Sequence, residues 1–182
     1  MGAVRAALID DLAREIVAGE HRRIAVDGFD GAGKTYLAVE LAAAIGPSAV
    51  RVRVDDFLHP QEIRYARGRD SPEGFFLDSF DYAAFRAALT GEIVIADGIF
   101  LHRDELVDLW DWSIWLDVPF AVSIPRGAAR GPGFGDADPA APSNHRYVEG
   151  QRIYVARCSP RGRATVVIDN TDLDAPRRVP DS

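Results

Sequence analysis

Gly28-Phe-Asp-Gly-Ala-Gly-Lys34-Thr35 is the stretch on which the fold turns. It fits G-x-x-x-x-G-K-[ST], a glycine-rich turn that joins a strand to a helix and cradles phosphate. The flanks supply that context. Arg22-Arg-Ile-Ala-Val-Asp27 reads as a short strand, and Tyr36 to Ile45, rich in Ala, Leu, Val and Glu, reads as a helix. Gly28, Gly31 and Gly33 allow a tight turn in which successive N–H groups converge on phosphate oxygens, with the positive end of the helix dipole behind them. Lys34 offers an ammonium to the β- and γ-phosphates, and the Thr35 hydroxyl offers a ligand position to Mg²⁺. With Asp30, Ala32 and Tyr36, these residues are expected to line a nucleoside triphosphate. The competing reading is a chance turn. Two glycines at this spacing arise in about one window in 200, and the following Lys-Thr makes chance rarer still.

Composition bounds the rest. At 182 residues and 47% hydrophobic content the chain is one domain's worth, able to bury a core without disulfides or a structural metal. One cysteine, Cys158, excludes an intramolecular disulfide and any multi-cysteine metal site. It reads as a half-buried helix residue rather than a reactive thiol. No run approaches the roughly 18 apolar residues of a membrane span, and Met1 to Gly19 carries acids throughout, unlike a signal peptide. A cytoplasmic protein without membrane attachment is expected. The net charge of −7 argues against a nucleic-acid surface, which shows as a basic stripe. Lys34 is the only lysine, so any other local anion site must use arginine.

Five apolar runs have strand character: Arg23 to Asp27, Ala49 to Val54, Ile93 to Asp97, Trp112 to Leu116 and Ala164 to Ile168. Helical patterns lie between them. Leu8, Leu12, Ile16 and Val17 mark an amphipathic N-terminal helix, Tyr82 to Leu89 and Phe120 to Arg130 two more, and His145 to Cys158 a fourth. Alternation of this kind implies an α/β three-layer sandwich around a central, mostly parallel five-stranded sheet, with ligands at the C-terminal strand ends. The first strand should be central. Gly131 to Ser143, dense in Gly and Pro, cannot hold a helix; it is either a mobile lid, within a lid segment of 120–145, or a plain surface loop. The polar tail from Asp172 should pack only in part.

Carboxylates recur where strands end. Asp55-Asp56-Phe57 follows the second strand, at the edge that also carries the phosphate loop, and a carboxylate there can orient or deprotonate a hydroxyl that attacks a phosphoryl group. Asp55 is the candidate base, although either aspartate could instead cap the following turn. The third strand ends Ile93-Val-Ile-Ala-Asp97-Gly98. Asp97 would hold Mg²⁺ directly or through water, and the same Asp-Gly pair is also ordinary turn chemistry. Arg126 and Arg130, four apart on one expected helix, either clamp the transferring phosphate or form a solvated face. His21, His59, His102 and His145 show no ligand spacing.

Together these residues resemble the uridine kinase family of phosphate-loop kinases. The resemblance rests on Ile24 to Thr35, Val54-Asp-Asp-Phe57, Ser71-Pro-Glu-Gly-Phe-Phe-Leu-Asp-Ser-Phe-Asp81, Asp97-Gly-Ile-Phe-Leu101, Leu116-Asp-Val-Pro119, Arg146-Tyr-Val-Glu-Gly-Gln-Arg152 and Asp169-Asn-Thr-Asp-Leu173, and so spans most of the chain. It implies a single phosphate-loop NTPase domain over 1–182 that uses ATP and Mg²⁺ and phosphorylates a small molecule. It further implies Asp55 as the base facing a nucleoside 5′-hydroxyl, with Phe57 beside the acceptor and Asp78 on ribose hydroxyls. Asp97 would lie near Mg²⁺, Arg126 and Arg130 on a lid helix facing ATP phosphates, and Asn170 near the adenine. Members of the family are often oligomers, so a homo-oligomer is implied as well.

One departure matters. Family members carry a hairpin before the Asp97 strand that helps form the pyrimidine pocket, and here only Thr90-Gly91-Glu92 stand in its place. Three residues cannot fold over a base. The acceptor is therefore a nucleoside or another hydroxylated small molecule, such as a sugar or a pantothenate-like compound. An ATP-binding regulatory or interaction module is the alternative of another class, opposed by Asp55, Asp97 and Arg130, which a mere binder does not need. A GTPase is disfavoured because Asp169-Asn-Thr-Asp does not match the guanine-reading Asn-Lys-x-Asp.

Overall fold

The computed structural model describes residues 2–131, 133 and 135–180. Pro132 and Phe134, inside the expected lid segment, lie outside the described residues. Strand β1 (Arg23–Gly28) sends Ile24 and Val26 to one face and Ala25 to the other, and all three are fully buried. Burial on both faces is what a parallel strand covered by helices on both sides requires. The other strands are β2 (Ala49–Arg53), β3 (Ile93–Asp97), β4 (Trp112–Asp117), β5 (Val166–Asp169) and β6 (Arg177–Arg178), in the order β2-β3-β1-β4-β5-β6. The first five are parallel, with β1 inside the sheet as expected. The sixth is a two-residue antiparallel addition from the polar tail, which no apolar run announced.

Helices α1 (Ala3–Ala18) and α2 (Lys34–Ile45) cover the Ile24/Val26 face, packing Ile9, Leu12, Ile16, Leu37 and Leu41 against Ile95, Ile114 and Leu116. Each such side chain contributes about 1.5–3 kcal/mol on burial. In α1 the buried stripe is Arg5, Ile9, Leu12, Ala13 and Ile16, and the expected Val17 is 53% exposed because it falls beyond the stripe's margin. Helices α3 (Gln61–Arg64), α4 (Pro72–Asp78), α5 (Tyr82–Ala88), α6 (Phe120–Ala128), α7 (His145–Cys158) and α8 (Pro160–Arg163) complete the chain. On the second face Phe75 and Phe76 of α4, Phe85 of α5 and Tyr154 of α7 meet Val94, Ala96 and Trp115. Cys158, expected to be half-buried, is buried there, and that burial pushes its thiol pKa up.

Helix α4 was not anticipated from periodicity, being only seven residues long. Its start is nonetheless written in sequence: the Ser71 hydroxyl accepts the Gly74 N–H and Pro72 occupies the first turn. Helix α6 is shorter than the expected Phe120 to Arg130. It ends at Ala128, with Pro125 inside it, so Arg130 lies beyond the helix.

Candidate active site

The turn between β1 and α2 is a left-handed, glycine-built cradle. Gly31 and Gly33 have φ of 76° and 97°, values only glycine adopts at little cost. A Cβ on Gly31 would fall on the Ser123 carbonyl oxygen of α6, and one on Gly33 would lie 2.7 Å from Asn170 Nδ2. Several loop amides are engaged from within: Gly28 N–H donates to Asp27 (2.7 Å), Asp30 N–H to Gln151 Oε1 (2.7 Å) and Ala32 N–H to the Phe29 carbonyl (3.0 Å). Gly28 and Ala32 thus form the underside of the loop. Gly31, Gly33, Lys34 and Thr35 line a cavity of about 40 Å³ together with Asp30, Asp55, Asp97 and Arg130. Lys34 Nζ reaches back to the Phe29 carbonyl at 2.8 Å, a position from which it can turn to phosphate.

Thr35 and Asp97 sit on the same rim. Thr35 donates its hydroxyl hydrogen to Asp97 Oδ2 at 3.0 Å, which leaves the oxygen lone pairs available to a cation. One hydroxyl and neighbouring carboxylates suit Mg²⁺, which keeps waters and takes few protein ligands beside substrate phosphates. Among the described residues no three His, Cys, Asp or Glu side chains group to hold a metal by themselves. The donor set therefore fits an ion that arrives with phosphate. A further group, missed in the sequence, is Arg51 of β2, whose guanidinium grips Asp97 at 2.6 and 3.0 Å.

Asp30 is pressed into this cavity. Burial pushes its carboxyl pKa up, Lys34 and Arg130 pull it down, and the neighbouring Asp55 adds to the rise. Asp55 lines the cavity whereas Asp56 does not. Both lie in a single 3₁₀ turn, Val54–Phe57, and both are more than half exposed, with Arg53 at 3.6 and 3.5 Å. Phe57 packs edge-on against Phe85. The segment carrying them is tied to the end of α4: Asp81 N–H donates to the Phe57 carbonyl and His59 N–H to the Ser79 carbonyl. Asp78, the last residue of α4, accepts from Arg67 Nε at 2.8 Å.

Arg126 and Arg130 do not act as a pair on one helix face. Arg126 donates to the carbonyls of Asn170 (3.1 Å) and Thr171 (2.6 Å), while Arg130 lies past the helix end on the cavity beside Lys34 and Thr35. Arg126 also lines a second cavity, about 550 Å³, with Arg5, Tyr36, Glu40, Leu173 and Asp174. Asn170, on the loop expected near the adenine, is fully buried, while Leu173 and Asp174 farther along the same loop line the second cavity. The Asn170 amide donates to the Ala32 carbonyl (2.7 Å) and accepts from Arg5 (3.3 Å), so its side chain is a strut beneath the Gly28 to Thr35 loop. Arg5 in turn forks onto Glu40 of α2.

Behind the loop lies a second buried network that the sequence reading missed. Asp27 accepts from the Gly28, Leu101 and His102 amides, from His102 Nδ1 (2.9 Å) and from the Tyr154 hydroxyl (2.5 Å). A fully buried carboxylate needs such a set of donors. It holds the turn after Asp97, where Phe100 has a φ of 67°, a costly value for a bulky residue. Burial, helped by the Asp27 charge, keeps the Tyr154 phenol protonated. An acid closing an apolar strand was the legible sign.

No protein-family model and no curated protein matches the sequence. Solved structures do resemble the fold. A candidate uridine kinase from Bacillus stearothermophilus has a TM-score of 0.66 and 20% identity, over 88% of this chain and 97% of that one. A candidate fructose transport system kinase from Silicibacter sp. TM1040 has a TM-score of 0.65 and 22% identity, over 82% of this chain and 95% of that one. At such identities the likeness establishes the fold alone and leaves the activity to the chemistry of the site. Among the described residues no helix is long and apolar enough to cross a membrane.

Proposed function

We propose that this chain is an ATP-dependent kinase that transfers the γ-phosphoryl group to a hydroxyl of a small molecule. The observation that carries this reading is the convergence of Lys34, Thr35, Asp97, Arg130 and Asp55 on one small cavity at the C-terminal edge of the sheet. Phosphoryl transfer asks for positioning and charge neutralisation, plus one group to orient the nucleophile. The loop amides and Lys34 hold the triphosphate, and the Gly31 and Gly33 backbone gives it room. Mg²⁺, held at Thr35 with Asp97 behind it, would neutralise phosphate charge. Arg130 adds a guanidinium where charge builds on the transferring oxygens. Asp55, exposed toward the acceptor, takes the hydroxyl proton. The 550 Å³ cavity beside Gly33 and Arg126 is large enough for the nucleoside part of ATP. The site is expected to work in the cytoplasm.

A nucleoside 5′-hydroxyl is the acceptor we favour, with Asp78 released from Arg67 to bind ribose hydroxyls. A specific observation supports a second acceptor class: α5 ends at Ala88 and β3 begins at Ile93, so no hairpin covers the acceptor side. A sugar needs no such cover, and one structural neighbour is described as a candidate fructose transport system kinase. The test is transfer of labelled γ-phosphate from Mg·ATP to a panel that begins with uridine and cytidine and extends to hexoses and pantothenate. Transfer to a nucleoside supports the first acceptor, and transfer to a sugar alone supports the second. ATP binding without transfer to any member would favour a nucleotide-binding module instead.

A further inference from the structure

Arg51 and Arg53 lie two residues apart on the edge strand β2, hence on one face of the sheet, yet they behave differently. Arg53 is 44% exposed, and its guanidinium stands off Asp55 and Asp56 at 3.6 and 3.5 Å. Charged side chains of that kind protect sheet edges. Arg51 is only 22% exposed and points at the neighbouring strand, where Nε meets Asp97 Oδ1 at 2.6 Å and a terminal nitrogen meets Oδ2 at 3.0 Å. Asp97 itself is 3% exposed. A fork-to-fork pair of this kind fixes a carboxylate in plane and in rotamer.

The acceptor sites of Asp97 can then be counted. A carboxylate offers about four lone-pair positions. Arg51 fills two and the Thr35 hydroxyl fills one. A single position remains, enough for a water but not for an ion that competes with a guanidinium for the same charge. The pair Arg51–Asp97 is also neutral, and the other two carboxylates on the cavity, Asp30 and Asp55, are matched by Lys34 and Arg130, so in the absence of phosphate the Thr35 corner offers a divalent cation little attraction.

We propose that Arg51 is a positioning residue that turns Asp97 into an indirect metal partner. It makes Asp97 act through Thr35 and a water, and it prevents the nucleotide-free site from capturing a divalent cation alone. The metal then enters only with ATP. This rests on the functional reading in which Asp97 faces the ion of Mg·ATP.

The test uses Mn²⁺ alone, followed by electron paramagnetic resonance on the nucleotide-free protein, with binding of a fluorescent ATP analogue in Mg²⁺ measured on the same samples. Arg51→Gln should raise Mn²⁺ affinity at least tenfold over wild type, and adding Asp97→Asn should return it to the wild-type level. Unchanged affinity in Arg51→Gln overturns the proposal, as does a gain that survives Asp97→Asn. If Arg51→Gln does not fold, Arg51→Lys keeps the charge but loses the fork; a threefold gain supports the proposal and no gain overturns it. Wild-type protein that binds no ATP analogue would defeat the functional reading, whereas intact analogue binding with unchanged Mn²⁺ affinity defeats only the role of Arg51.

Discussion

The phosphate loop is pinned from beneath by side chains that water barely reaches, whereas the strand end that carries Asp55 is held by surface pairs. Asn170, Gln151 and Asp27 are each no more than 1% exposed, and each binds the loop's backbone. Around the strand end Asp55 is 55% exposed, Arg67 is 51% exposed, and the link to α4 is a short run of backbone hydrogen bonds. Under the proposed function, the difference would separate two tasks. A triphosphate is the same in every turnover and rewards a fixed cradle, since preorganised donors need no rearrangement during reaction. An acceptor must enter and leave, and low-stability elements serve that need.

The same substitution should have very unequal consequences in the two halves. Gly31→Ala sets a methyl on the Ser123 carbonyl at a φ of 76°, and should cost more than about 4 kcal/mol and abolish ATP binding. Gly68→Ala, at a φ of 102° but with nothing within 4 Å, should cost about 1–2 kcal/mol and leave ATP binding intact. Chemical denaturation and nucleotide titration of both variants would decide, and comparable losses would break the comparison.

A smaller effect probes the struts one at a time. Asn170→Ala leaves the Ala32 carbonyl without its donor and Arg5 without one acceptor. The expected loss is about 1–3 kcal/mol, read as a melting temperature lower by about 2–12 °C. A change within error would show that the loop does not depend on its support.

The smallest effect has the opposite sign. Asp30 carries a carboxyl whose pKa burial raises above the ordinary 3.8. Such a group contributes no penalty while protonated, and it costs stability as pH rises through its folded-state value. Asp30→Asn should therefore melt slightly higher than wild type near neutral pH. The gap should close as pH falls toward 3.8, and a lower melting point near neutrality would contradict it.

What the sequence made legible follows the same division. The Gly28 to Thr35 loop, the parallel strands and the acids at strand ends were readable because each is a local pattern with a local cause. Asn170 was not readable as a strut, since its partner Ala32 is 138 residues away. The Asp27–His102 contact spans 75 residues and leaves no periodic trace. Arg51 reads simply as a charge on a strand: the register of β2 beside β3 sets it opposite Ile95, and its long side chain reaches diagonally to Asp97. The split of Arg126 from Arg130 came from the end of α6 at Ala128 and from the carbonyls of Asn170 and Thr171, which hold Arg126.

The central claim is that one cradle holds ATP while a separate carboxylate readies the acceptor. Parallel measurement of phosphoryl transfer and ATP-analogue affinity in Asp55→Asn tests it most directly. The account predicts a transfer rate lower by about 10²–10⁴ with affinity within a few-fold of wild type. Transfer at the wild-type rate would contradict it.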